Sequence, residues 1–287
     1  MQVELKLLKK FEYTIKEWRL IKFFTVLFWL LSMWKITTEY DSQPFPEGIC
    51  HLVNCAFFAL KPVNVIVLSL AVIASLAYVF DKFKIIALSY IVLCSLILLS
   101  LERSNGILDR QELWSMIFIA QLAATLRYHF SENYFTSNNI SLANICMFYS
   151  IQMVAAAYTV AGITKLQESG IHFITDAPNL IFQLKRMEYQ VEIDFGWNFF
   201  SEYYYYVEHY LLRNKWLTAI AFSIALAIEL LAIISCLGKK YAYWYGWLLI
   251  LLHIGIAMTT LIFIPIYVIL FALYFLGITR WMVKSTV

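Results

Sequence analysis

The stretch Leu142–Thr164 reads LANICMFYSIQMVAAAYTVAGIT and runs into Lys165. It holds no Lys, Arg, Asp or Glu, and as a helix it is long enough to cross the roughly 30 Å hydrocarbon core of a bilayer. A helix satisfies its backbone donors and acceptors internally, which a segment surrounded by lipid must do. The rest of the chain agrees with this reading. Of its 287 residues, 62% are hydrophobic and 14% charged, and the mean hydropathy is +0.71. A soluble domain carries about 25% charged residues, so the composition excludes one and predicts an integral membrane protein.

Three further charge-free runs have spanning length: Pro62–Phe80, Ile85–Leu101 and Tyr241–Thr279. The last is too long for one helix and contains Pro265, a natural break, so it reads as two helices near Tyr243–Ile262 and Ile264–Ile278. Trp216–Leu237 has the right length but carries Glu229 inside it. Phe23–Trp34 and Leu113–Leu126 are shorter, and span only if flanking Lys22, Lys35, Glu112 and Arg127 reach toward the headgroups. The expectation is an all-α, polytopic membrane helical bundle of about eight transmembrane helices, a single integral membrane domain over residues 1–287.

Charge distribution orients that bundle, because cytoplasmic loops carry the excess of Lys and Arg. With eight spans, the side that holds both termini has thirteen basic against five acidic residues; the other has nine against thirteen, leaving out Glu229. Both termini are therefore expected in the cytoplasm, with a bacterial inner membrane as the expected location and lipids as partners. Seven spans would put the basic C-terminal tail outside. The basic stretch ahead of Phe23–Trp34 is like that of a signal peptide, but no small-residue cleavage site follows Trp34, which favours an uncleaved anchor. Cys94, Cys146 and Cys236 fall within expected spans, where a thiol behaves as a small hydrophobe. Cys50 and Cys55 share an outer loop and suit a disulfide if that compartment is oxidising; they lack the Cys-x-x-Cys spacing of a redox pair.

The largest region outside the expected spans is the outer stretch 167–215, far longer than the roughly 2 to 8 residues that usually join bundle helices. It reads as a short amphipathic helix around Asn179–Arg186, with Asp176 and Pro178 placed for a cap and a first turn, followed by an aromatic run through Phe195–Phe200 to Tyr203–Tyr206. Those aromatic residues suit either interfacial anchoring or the mouth of an outward-facing pocket.

Three ionisable groups in or beside the spans carry the chemistry. Lys165, placed at the outer face, either lifts its ammonium to the interface or holds a partly desolvated amine able to act as a base. Ala161 and Gly162, one turn earlier, leave room for a helix or ligand to approach closely. Glu229 lies too deep to reach water, so it must be protonated, hydrogen-bonded or paired within the bundle, either to tie helices together or to handle protons. His253 shares a helix face with Gly246 and Thr260 and serves either packing or titration. His51, His129, His172, His209 and His253 are scattered singly, so no metal site is expected. Nucleotide-binding glycine motifs and nucleophile elbows are absent, and no nucleic-acid partner is expected.

The segment Tyr158–Leu166, with Ala161-Gly162 followed by Lys165-Leu166, resembles the signature of the horizontally transferred transmembrane domain, the membrane part of vitamin K-dependent gamma-carboxylase and its bacterial relatives. Glu229 and His253 are similar, less specifically, to other polar points of that domain. The resemblance implies that Lys165 is a catalytic base that deprotonates a reduced naphthoquinone, which oxygen then converts to an epoxide. Tyr158, Gly162, Glu229 and His253 would contribute to substrate binding. The chain departs from the carboxylase pattern in ending soon after its last expected span, without a large outer domain, and in lacking a tryptophan just past Lys165-Leu166, where the nearest aromatic is Phe173. Two functions follow as expectations: a membrane enzyme acting on a lipophilic quinol, or a non-catalytic membrane partner for maturing or exporting a secreted peptide.

Overall fold

A computed structural model of the chain describes residues 2–39, 46–52, 54–55, 57, 60–104, 112–170, 172–176, 206, 209–210, 213–260 and 265–279. The expected helix at Asn179–Arg186 and the aromatic run up to Tyr205 lie outside the described residues. Among those described there is no strand, and the fold is all-α. Its helices are α1 (Gln2–Leu8), α2 (Ile15–Glu39), α3 (Lys61–Val79), α4 (Lys84–Ser104), α5 (Glu112–Phe130), α6 (Glu132–Ser137), α7 (Leu142–Ser169), α8 (His172–Thr175), α9 (Lys215–Leu230), α10 (Lys239–Thr260) and α11 (Pro265–Phe271). A short 3-10 turn, Gly48–His51, precedes α3; a second, Ala232–Leu237, extends α9; and a π turn, Ala272–Leu276, extends α11.

Local chemistry sets several of these boundaries. Pro62 occupies the first turn of α3, where its missing N–H costs no hydrogen bond. Ser141 caps α7, its hydroxyl accepting from the Asn144 amide at 3.2 Å. Gly170 ends the same helix at φ 54°, a conformation that a side chain would strain. Helix α7 thus continues past Lys165 to Ser169, so the lysine sits inside a helix and not at its end.

Four helical segments, α3, α4, α7 and α9 with its 3-10 extension, are long and apolar enough to cross a membrane. That defines an all-α membrane protein. The other expected spans are helical too over their described parts, in α2, α5, α10 and α11 with its π turn. Helices α4, α5 and α7 form the centre, with α3 against α4 and α2, and α9 and α10 on the far side of α7. Helix α3 turns a continuous apolar stripe outward, with Val65, Ile66 and Ile73 about 60% exposed, as a lipid-facing helix does. The centre is filled by large side chains: Trp29 meets Phe118 edge-on at 5.5 Å, and Trp114 stacks on Phe118 at 6.3 Å.

One end of the bundle is tied by polar contacts. Glu4 of α1 pairs with Arg127 at 2.5 Å, and the Tyr13 amide donates to Asn144 at the start of α7. The fully buried Lys22 pairs with Asp81 at 2.9 Å in the α3–α4 turn and donates to the Tyr78 carbonyl at 3.0 Å. Lys10 and Lys239 donate to the carbonyls of Leu237 and Glu12 respectively. At the opposite end the Gly48–His51 turn packs on the end of α4, its Ile49 amide donating to Ser100. That turn carries the disulfide Cys50–Cys55, one of the two outcomes open from the sequence.

Candidate functional site

Helix α7 builds the site from one face. Tyr158, Gly162 and Lys165 are spaced i, i+4 and i+7, so they lie in a single stripe along it. Gly162 lets α9 come close. A Cβ there would lie 3.1 Å from the Leu230 side chain and 3.2 Å from the Glu229 Cβ. That approach delivers Glu229, 64 positions later in the chain, to Lys165, and the two form an ion pair with a hydrogen bond from Nζ to Oε1.

The environment of the pair is lopsided. The Glu229 side chain is 7% exposed and that of Lys165 is 37% exposed. Thus the carboxylate is held inside the bundle while the amine remains reachable. Its other oxygen, Oε2, has no hydrogen-bond partner among the described residues. The Lys165 ammonium also sits 5.4 Å above the Phe173 ring of α8, a cation–π contact that places that aromatic residue against the lysine in space.

The second polar pair lies about two turns along the same stripe. The Tyr158 hydroxyl and His253 Nε2 of α10 share a hydrogen bond of 2.5 Å. Phe271 and Tyr267 close around the imidazole, their ring centroids 5.3 and 5.2 Å from it. All five residues singled out from the sequence therefore come together as two pairs, with Gly162 between them on α7. Gly246, on the His253 face, serves the packing of α10 on the π turn: a Cβ there would fall 2.5 Å from the Phe275 Cβ.

Tyr245 is the residue that sequence reasoning missed. It is 5% exposed, and its hydroxyl has no hydrogen-bond partner among the described residues. It precedes His253 by eight residues, about two turns, so helical spacing carried the signal. Glu229 Oε2 and the Tyr245 hydroxyl are thus two buried polar oxygens without a hydrogen-bond partner among the described residues, each able to take a hydroxyl group or a water. Chemically, the arrangement can hold a proton between an amine and a carboxylate and accept a polar ligand beside it.

The chain matches no family model, no curated protein and no solved structure.

Proposed function

We propose that the chain is an eight-span protein of the horizontally transferred transmembrane domain type, with both termini in the cytoplasm of a bacterial inner membrane. In this reading it oxidises a lipophilic quinol, with Lys165 as the base. The topology is supported by the contacts that tie Glu4 to Arg127, Tyr13 to Asn144 and Lys10 to Leu237, all of which eight spans put on one side. The chemistry rests on one observation: a buried carboxylate engages Lys165 through one oxygen and leaves the other without a hydrogen-bond partner among the described residues.

Lys165 hands its proton to Glu229 and becomes a neutral amine. The amine then takes the hydroxyl proton of a reduced naphthoquinone, whose reaction with molecular oxygen places one oxygen atom in the epoxide and releases the other as water with the two quinol protons. Glu229 Oε2 and the Tyr245 hydroxyl receive the polar edge of the ring, and the Tyr158–His253 pair holds the neighbouring wall. Tyr158, Gly162, Glu229 and His253 thus bind or position, and Lys165 does the proton chemistry.

The test is quinol epoxidation by the purified protein in nanodiscs, comparing the native chain with Lys165→Met at matched near-ultraviolet circular dichroism. Turnover in the native protein and its loss in the variant are expected. Turnover that survives the substitution removes Lys165 as the base.

A second reading is favoured by the same ion pair. Glu229 and the Phe173 ring together already engage the Lys165 ammonium. Such a clamp joins α7, α8 and α9, helices that flank or fall within the outer stretch 167–215 in sequence, and suits a non-catalytic partner of a secreted peptide that docks on that stretch. A native protein with no turnover moves the weight to this reading, and crosslinking of a co-expressed secreted peptide to the outer stretch would support it.

A further inference from the structure

The hairpin formed by α9, the Ala232–Leu237 turn and α10 encloses a groove of about 320 Å³ that uses neither member of the Lys165–Glu229 pair. Its walls are apolar: Ile228, Leu231 and Ile234 on one side, Tyr241, Trp244 and Leu248 on the other. Several of these are open to the surroundings, Leu231 at 52% and Trp244 at 62% exposure, so the groove opens sideways from the bundle. From Tyr241 to Leu248 it runs about 10 Å along α10. The aromatic pair Tyr241 and Trp244 lies toward the hairpin turn, the level at which such rings meet the membrane–water boundary.

That same end carries a cluster of cations. Lys239 and Lys240 open α10, and Lys10 packs across the turn, its side chain 3.3 Å from where a Cβ of Gly238 would be. Two of the three ammoniums are anchored, Lys10 on the Leu237 carbonyl at 3.3 Å and Lys239 on the Glu12 carbonyl at 2.7 Å. Lys239 also lies 3.6 Å from the centre of the Tyr13 ring. Lys240 is exposed and has no partner among the described residues. It stands one and two turns before Trp244 and Leu248, on the stripe that lines the groove. An apolar slot with Lys240 on its lining stripe and two further lysines at the adjoining hairpin turn matches one ligand chemistry, an acyl chain carrying an anionic headgroup.

We propose that this groove binds an anionic phospholipid, its acyl chain lying between α9 and α10 and its phosphate held by Lys240, Lys239 and Lys10. Tyr245 also lines the groove, which therefore borders the neighbourhood of Glu229, but the groove uses neither Lys165 nor Glu229 and does not depend on the function proposed for that pair.

Native mass spectrometry of the full-length protein, released from mixed micelles of phosphatidylglycerol and phosphatidylcholine with identical chains, tests it. The native protein is expected to retain phosphatidylglycerol in preference. Each lysine near a headgroup strengthens such binding about fivefold, so Lys240→Gln is expected to weaken retention by about that factor. Leu231→Trp, which fills the groove at a half-exposed position, is expected to reduce retention of both lipids. Equal retention of the two lipids by the native protein overturns the proposal, as does an undiminished preference in Lys240→Gln. So does unchanged retention in Leu231→Trp, or a dimer that this substitution dissociates, since the occupant would then be a second copy of the chain.

Discussion

The Lys165–Glu229 pair predicts an asymmetric double-mutant cycle. Lys165→Met leaves the carboxylate, 7% exposed, inside the bundle without a counter-charge. Removing one partner of a buried pair costs about 3–5 kcal/mol; because the lysine end is 37% exposed and partly screened, the lower end, about 3 kcal/mol, applies. Glu229→Gln keeps the volume and removes the buried charge. The lysine that remains has a long stem and turns its ammonium outward, so that substitution costs about 1 kcal/mol. The double variant contains neither charge and is also about 1 kcal/mol below the native protein. The assay is thermal unfolding in detergent, followed by tryptophan fluorescence. At about 2 °C per kcal/mol for a chain of this size, the expected losses are about 6, 2 and 2 °C. Equal losses in the two single variants, or a double variant at the sum of both, would refute the reasoning that Glu229 is the member in need of a partner.

Three other outcomes follow from the geometry. Gly162→Val drives a branched side chain into Leu230 and Glu229; it is expected to cost about 1–3 kcal/mol by overpacking, and to appear as a Tm lowered by about 2–6 °C. Tyr158→Phe leaves His253 Nε2 without its donor or acceptor at a cost of about 1–2 kcal/mol, measured by the same unfolding assay. Cys50 and Cys55 are expected to resist maleimide alkylation until reduction, read as a mass shift, and Cys50→Ser removes a short loop constraint whose chain-entropy value is about 2 kcal/mol.

The helices were legible because lipid leaves so little choice. Charge-free runs of spanning length announced α3, α4 and α7, and Pro265 marked the break between α10 and α11. The Lys165–Glu229 pair was only half legible. The depth of Glu229 demanded a partner, but nothing local to the sequence identified it, since the contact joins helices 64 positions apart. The polar chain inside the bundle left still less trace. Tyr78 donates to Gln121 at 2.5 Å, and Gln121 donates to Tyr274, which shares a 2.9 Å hydrogen bond with Thr25. Each of these residues is unremarked in its own run, and only the bundle makes them neighbours. Lys22 followed the same rule: its reach toward the headgroups was expected, and it is instead fully buried against Asp81.

The stripe Tyr158, Gly162 and Lys165 suits helix packing and proton chemistry equally well, so its presence alone does not separate the two. A glycine for close approach and a lysine to neutralise a buried carboxylate are what a membrane helix pair needs for adhesion. What adhesion does not need is an amine that gives up its proton. Lys165→Arg isolates that difference. A guanidinium keeps the positive charge, can engage Glu229 and can stack over Phe173, but it stays protonated and cannot serve as a base. If Lys165 is a base, the arginine variant is expected to unfold within about 2 °C of the native protein, while quinol turnover falls by about a hundredfold or more, the usual worth of general base catalysis. Turnover preserved in a stably folded arginine variant would reduce the lysine to a clamp and leave the outer stretch, rather than the amine, as the working part of the protein.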